Sequence, residues 1–577
     1  MKIRKISNLR MCTLLATIVM IVAGLCVSCA SHALTLTSVS PGFGPVAGGT
    51  KITITGTGFE QNVRWKQIVG GNGFSCALTI DGKVYCWGVN DVGQLGNGTS
   101  GDDSILTPVA VDTSDVLNGK TIISLAAGIA HVCALANDHQ VYCWGRNDYG
   151  QLGNGTMNTL SDPTPNPVAV DTSGVLNGKT VVSLTAGGIH NCVLASDGKV
   201  YCWGQNDYNQ LGDGTATARS VPTAVIDTGD VLYSGGKTVV NIEAGYYNTC
   251  AIASNGRVYC WGYNDEGQLG DGTRTGQPTP VAVVDAGNVL YSGGKTIISL
   301  AVGYAHTCAI ASDHQVYCWG GNSMGQLGDG TSSSKLAPIL INGGGLSGKT
   351  IVAITACVFY TCALTSDGIA YCWGFNWAGQ LGDGTTTNRS SPVAVVDAGN
   401  VLYSGGKTVT GLIASEGFHT CAVASDDGAY CWGSNWGGEL GDGTTTEPFD
   451  PVPNPVAVDT SNLLAIPTVT IDGVVCTEVT ILSDTELTCV VPAHIRGLTD
   501  VALFVNGATI TLPNAFEYKD VLDAPNSGVG TETNMLDHSI FEVVLIIGSC
   551  TTILTWFLTS AKGDSDYSIR IKWKEGI

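Results

Sequence analysis

The stretch Cys76-Ala77-Leu78-Thr79-Ile80-Asp81-Gly82-Lys83-Val84-Tyr85-Cys86-Trp87-Gly88 returns six more times, opening at Cys133, Cys192, Cys250, Cys308, Cys362 and Cys421. Each copy has a second cysteine ten residues on, at Cys143, Cys202, Cys260, Cys318, Cys372 and Cys431, followed by Trp-Gly. Apolar and β-branched residues on both sides of an Asp-Gly turn predict a β-hairpin. A three-residue loop, Ile80-Asp81-Gly82, with Gly82 in the left-handed region, pairs Thr79 with Lys83 and sets Cys76 opposite Cys86. Facing residues on antiparallel strands sit about 4.5–5.5 Å apart at Cα, within the reach of a disulfide. The register is the same in every copy, so seven hairpin disulfides are expected. The alternative is seven reduced, buried pairs acting as small hydrophobes. His139 and His314 stand at the glycine position, and histidine tolerates that backbone region. The last copy reads Ser425-Asp426-Asp427-Gly428, which leaves its turn open.

After Trp-Gly each copy gives Asn-x-x-Gly-Gln-Leu-Gly-Asp/Asn-Gly-Thr, as at 90–99 and 264–273. Asn209 replaces the first Gly in the third copy, and Glu439 replaces Gln in the seventh. Pro-Val-Ala-Val or a variant follows, then Gly-Lys-Thr-Ile-Ile-Ser-Leu-Ala-Ala-Gly, as at 119–128. Each unit therefore carries four short apolar strands at a period of about 54–59 residues. One unit cannot bury both faces alone, so neighbours must cover it. Four-stranded units repeated radially make propeller blades.

The Gly…His…Cys-Ala-Leu…Asp-Gly…Val-Tyr-Cys-Trp-Gly-x-Asn…Gly-Gln-Leu-Gly pattern resembles the repeat of the regulator of chromosome condensation family. The resemblance spans about residues 63–461 and implies a seven-bladed β-propeller. The cysteine pair is not general to that family and is similar to exported bacterial members. The segment 63–69 reads as the inner strand that the final repeat lacks.

The flanks differ in character. Residues 34–62 carry Pro41-Gly42-Phe43-Gly44-Pro45, Gly48-Gly49-Thr50 and an alternating run from Lys51 to Phe59, two strands between Gly/Pro turns. They resemble the opening of an IPT/TIG domain, an immunoglobulin-like sandwich. Residues 462–519 resemble its remainder, through Val469 to Cys476, Asp484 to His494, Val501 to Val505 and Ala515-Phe516-Glu517-Tyr518. The fold expected is thus all-β: a seven-bladed propeller inserted into a split immunoglobulin-like sandwich, plus one C-terminal transmembrane helix. Cys476 and Cys489 would form the host domain's own disulfide. Cys357 replaces a repeat glycine and is left without a partner.

Residues 1–33 read as a signal peptide, with Lys2, Arg4, Lys5 and Arg10 before an apolar run and a Ser31-His32-Ala33 cleavage site. The chain's 21 cysteines suit an oxidising compartment. Its net charge of −21 argues against nucleic acid as a partner. Residues 520–539 form a linker whose Pro525, Asn526, Ser527 and Gly528 resemble a sortase sorting motif. An apolar span at 540–559 and a basic tail at 560–577 complete a sorting-signal layout. A membrane anchor, a sortase as processing partner and an exported, cell-surface location follow as expectations.

Candidate chemistry is sparse. Two residues before each first cysteine stand Phe74, His131, His190, Asn248, His306, Tyr360 and His419. The histidines lie on different blades, too far apart to share one ion at about 2 Å bonds, and read as a repeat-encoded hydrogen-bonding position. The Asp/Gly loops lack the alternating acids and distal Glu of an EF-hand and read as turns. No nucleophile–base pairing stands apart from the repeat, so no enzyme activity, metal or cofactor is expected.

The positions that break the repeat are more telling. After Trp-Gly come Val89, Arg146, Gln205, Tyr263, Gly321, Phe375 and Ser434, with Tyr149, Tyr208, Trp377 and Trp436 close behind. Tyr, Trp and Arg anchor protein interfaces. Arg146, Tyr149, Tyr208, Tyr263, Phe375, Trp377 and Trp436 are therefore candidates for a binding rim. Tyr233, Tyr291 and Tyr403 sit in near-identical loops and read as scaffold. The function expected is adhesion to, or binding of, an extracellular protein or glycan. Inhibition of a secreted hydrolase is an alternative, and guanine-nucleotide exchange, which the resemblance implies, conflicts with export.

Overall fold

The structure, a computed structural model, describes residues 34–57, 63–159, 162–229, 231–447, 450–463, 467–483, 485–505 and 508–520. The expected signal peptide, the sorting-type motif Pro525-Asn526-Ser527-Gly528, the apolar span and the basic tail lie outside the described residues. Among the described residues, no helix is long and apolar enough to cross a membrane.

Seven four-stranded antiparallel sheets follow one another along the chain. The first is built from Trp65–Gly70, Phe74–Thr79, Val84–Asn90 and Gly101–Ala110, in that order. The last runs from Val409–Ala414 to Val452–Ala457. The inner strands touch in cyclic order, and Val409–Ala414 returns to Trp65–Gly70, so the sheets close a ring as blades of a propeller. This corrects the expectation for 63–69. That strand is laddered within the first blade, and meets the last only by packing and by one hydrogen bond, from Trp65 N–H to the Asp427 carbonyl at 2.9 Å. Every blade is one continuous stretch of chain, and no strand is exchanged at the seam.

Apolar side chains make the ring cohere because each core is shared by two blades. Phe74, Cys76, Leu78 and Leu95 of the first blade pack with Leu125, Ala134, Tyr142 and Trp144 of the second. Trp65, Ile68, Ala77 and Trp87 pack with Cys421, Cys431 and Leu440 of the seventh. Burying such area at roughly 25 cal/mol per Å² is what one blade alone cannot achieve.

The hairpin register is as the sequence predicts. Cys76 faces Cys86, Thr79 N–H donates to the Lys83 carbonyl at 2.9 Å, and Gly82 has φ +83°. All seven pairs are disulfide-bonded, with Cα–Cα distances of 4.0–4.1 Å. His139 and His314 adopt φ +63° and +59°, and in the seventh blade Asp427 takes that place at φ +59°.

One polar link recurs in every blade. The buried indole N–H of Trp144 donates to the Gln94 carbonyl of the blade before it, at 3.0 Å. Trp203, Trp261, Trp319, Trp373 and Trp432 do the same to Gln151, Gln210, Gln268, Gln326 and Gln380. Here the repeat's Gln-Leu-Gly has a physical reason. Gly96 sits at φ +67°, and a Cβ there would come within 2.6 Å of the Trp144 Nε1. The loop can carry no side chain where the next blade's tryptophan enters.

Both flanks contribute to one pair of sheets. Thr35–Ser40 and Lys51–Thr57 pair with Glu486–Val490 and Thr477–Ser483, while Phe43–Pro45 joins Ala508–Lys519, Gly497–Val505, Thr468–Ile471 and Val474–Val475. The first flank thus supplies three strands, one more than the sequence suggested. Ile52, Ile54, Val469, Leu487, Leu503 and Phe516 fill the shared core. The expected Cys476–Cys489 bond is not formed: both are buried free thiols in that core, with a hydrogen bond between them. Cys357 is also a buried free thiol, as expected.

Candidate functional site

The histidines before the hairpin cysteines are structural. His190 Nε2 lies 2.9 Å from Thr249 Oγ1, and that hydroxyl donates to the Gln210 carbonyl at 2.9 Å. The hydroxyl proton is thus committed, so Nε2 carries the ring proton and donates. His306 with Thr361, His131 with Asn191 and His419 with Ser75 repeat the arrangement. Each histidine stitches its blade to the next, including across the seam. Burial keeps the rings neutral, holding His131 down at about 4 and His190, His306 and His419 at about 3.

The Asp/Gly loops also satisfy themselves. Asp213 Oδ1 accepts from Thr215 N–H and Asn206 Nδ2, both at 3.0 Å, and Oδ2 is held by Arg219 at 2.7 Å. Tyr233, Tyr291 and Tyr403 accept backbone N–H groups of Val200, Val258 and Ala370 through their hydroxyls, a scaffold role.

The post-Trp-Gly loops share a rim with the turns that join each inner strand to the next, three residues long in six blades and four in the seventh. The pairing of Phe74 with Gly88 puts both connections at one end of the blade. On this rim the structure assembles an arc of aromatic rings over blades three to seven. Tyr208 meets Tyr247 at 4.4 Å and Tyr263 at 5.2 Å between ring centres. Tyr247 meets Tyr246 at 4.5 Å, and Tyr246 meets Tyr304 at 5.2 Å. Tyr304 leads to Phe359 at 5.9 Å, and Phe359 to Phe375 at 6.4 Å. Phe375 touches both Trp377 at 5.4 Å and Phe418 at 5.3 Å. The tilted and edge-on geometries are those that aromatic quadrupoles favour.

Four of the seven candidates thus fall in one arc: Tyr208, Tyr263, Phe375 and Trp377. Trp377 is 66% exposed and Tyr208 40%, far outside the range of core aromatics. Trp436 is also exposed but lies over the first blade's turn, against Gly73. Arg146 forks onto Asp148 with two bonds of 2.7 Å, and its guanidinium stands 5.9 Å from the Tyr149 ring centre. Those two residues lie on blade two, beyond the contiguous arc.

The sequence reading missed Tyr246, Tyr247, Tyr304, Phe359 and Phe418. All five occupy the short turn just before the histidine position, the other half of the same rim. Burial among these rings pushes the Tyr263 hydroxyl up to about 12 and that of Tyr247 higher still. The carboxyl of Glu416, in the seventh blade's turn, is pushed up to about 8 by burial, and its Oε2 has no hydrogen-bond partner.

A family model for the RCC1-like domain matches residues 51–406 and, in a second overlapping placement, 165–488. The ultraviolet-B receptor UVR8 of Arabidopsis thaliana is 30% identical over 449 residues, covering 77% of this chain and 94% of the relative. The human E3 ubiquitin-protein ligase HERC2 is 30% identical over 328 residues, which is 56% of this chain but 6% of the ligase. Human WBSCR16 shares the fold with a TM-score of 0.55 at 19% identity, covering 70% of this chain and 99% of that one. Prp20p of Saccharomyces cerevisiae does so with 0.54 at 21%, covering 72% and 92%. Repeat, ring and match agree over most of the length, and the chain belongs to the family of RCC1-like domains.

Proposed function

We propose that the protein is a non-catalytic binding module, exported and anchored at the cell surface, that grips an extracellular protein or glycan through the aromatic rim. The observation that carries this reading is the unbroken arc from Tyr208 to Phe418, half-buried yet open at Trp377 and Tyr208. Aromatic side chains provide large contact area at low entropy cost, which is why they anchor interfaces. Relatives described as a receptor and as part of a ligase, and a yeast relative studied for binding Gsp1p and histones, support use of the ring for recognition.

In this reading 34–62 and 462–519 form one IPT/TIG immunoglobulin-like domain that hosts the ring at 63–461. The pairing of Lys51–Thr57 with Glu486–Val490 supports a split host. Signal peptide, sorting motif and membrane span then hold the assembly outside the cell. The test is a pull-down from neighbouring cells and their secretions with wild type and with a Phe375→Ala/Trp377→Ala variant. A partner retained by wild type and lost by the variant is expected. Equal capture by both, with unchanged melting, would refute the rim reading.

A further inference from the structure

Resting on that rim reading, we propose that the axial end of the arc receives a basic side chain, Lys or Arg, of a protein partner, with Glu416 as its counter-charge. Glu416 is an addition to the repeat. From the glycine position to the residue two before the cysteine, six blades take three steps, as in Gly128 to His131 or Cys357 to Tyr360. The seventh takes four, from Ser415 to His419. The enlarged turn holds Phe418 at φ +60°, where bulky side chains rarely sit. Gly417 N–H ties the turn to the Gly71 carbonyl of the first blade at 3.1 Å.

The added residue stands in the same turn as Phe418, the ring that closes the blade-seven end of the arc against Phe375 at 5.3 Å.

Among the described residues, no cation pairs with that carboxyl. Glu416 Oε2 is sealed from solvent with no hydrogen-bond partner. Arg146, on blade two, is committed to Asp148 through two bonds of 2.7 Å. Cys357 and Tyr246 are both pushed up by burial and stay neutral. A half-buried carboxyl with one sealed, unpartnered oxygen, two residues from Phe418 at the end of the arc, is held as the neutral acid, and suits an ammonium or guanidinium from outside that would ionise it. The ring faces attract the cation and the carboxylate neutralises it. A neutral sugar gains nothing from the charge, and an acidic partner is repelled by it and by a chain of net charge −21.

The test uses the full exported chain and three probes: Gly-Ser pentapeptides centred on Lys or Arg, the same peptide centred on Glu, and chitohexaose. Calorimetry at pH 7 in two buffers of different ionisation enthalpy reads both affinity and protons released. The Lys and Arg peptides are expected to bind wild type at least tenfold more tightly than the Glu peptide, releasing protons as Glu416 ionises. Glu416→Gln should cut that affinity about tenfold and abolish the release, while melting no lower than wild type.

Equal binding by wild type and Glu416→Gln overturns the basic-anchor proposal and leaves the rim intact. So does a preference for chitohexaose, or no binding of either basic peptide at millimolar concentration. Loss of the pull-down partner on Phe375→Ala/Trp377→Ala, with Glu416→Gln inert, likewise separates the two readings.

Discussion

The indole N–H of Trp87, in the first blade, donates to the main-chain carbonyl of Glu439, in the seventh, over 2.9 Å. The ring therefore closes with the same peg that joins every other pair of blades. At the seam the same Glu439 carbonyl also accepts from Ser75 Oγ at 2.9 Å, and Arg64 Nε adds an ion pair to Asp427 Oδ2 at 2.6 Å.

Trp87→Phe is expected to cost about 1 kcal/mol, the net worth of one such hydrogen bond. Trp261→Phe, at an internal joint of the same construction, should cost the same. Urea unfolding measures both, and a much larger loss at Trp87 would mean the seam is the weak point. Gly441→Ala should cost more than either, because its φ is +70° and the new Cβ would stand 2.5 Å from Trp87 Nε1.

Glu439→Gln should stabilise the protein. Glu439 is fully buried where other blades have glutamine, its Oε1 has no partner, and burial raises its carboxyl above the usual value of 4.5. An acid raised on folding loses stability as pH climbs from its unfolded value through its folded one. The gain in melting temperature should be small at pH 4.5 and grow as pH rises above it.

Stability should peak near neutrality, with opposite causes on the two sides. The four buried histidines fall from 6.5 to about 3–4, so the unfolded chain binds more protons and stability drops as pH falls below 6.5. Glu243 and Glu416 rise from 4.5 to about 7 and about 8, so the folded chain holds their protons and stability drops as pH rises through that range. Thermal melts from pH 4 to 9 check this, and Glu243→Gln with Glu416→Gln should flatten the alkaline side.

Thiol mapping will sort the cysteines. The seven hairpin disulfides are buried, so native protein should resist mild reductant, and losing one by a Cys133→Ala/Cys143→Ala change should cost about 3 kcal/mol in the chain-entropy limit. Iodoacetamide should leave Cys357, Cys476 and Cys489 unlabelled in native protein and label all three after unfolding without reductant. Peptide masses showing only Cys357 labelled would mean that the host's pair is oxidised.

The hairpins, the blade number and the split flanks were legible because a repeat states its register seven times over. The same repetition concealed the blade boundaries. A period can be cut anywhere, and only the pairing of Trp65–Gly70 with Phe74–Thr79 shows where one blade ends. Tyr208, Tyr263, Phe375 and Trp377 were visible as departures from a fixed pattern. Tyr246, Tyr304 and Phe418 were not, because two connections distant in sequence meet on one rim only once the strands pair. Glu416 left one trace, the extra residue between Ser415 and His419. The free Cys476 and Cys489 show the limit of pairing by count: proximity in a core does not by itself oxidise two thiols.

Strands from before and after the ring lie side by side in one sheet, Lys51–Thr57 against Glu486–Val490. The wheel therefore hangs from its neighbour by two covalent tethers. A pull on the rim is divided between them, and neither can reel out until those adjoining strands slide past each other along their whole hydrogen-bonded length. Swivelling of the ring against those sheets is curtailed for the same reason.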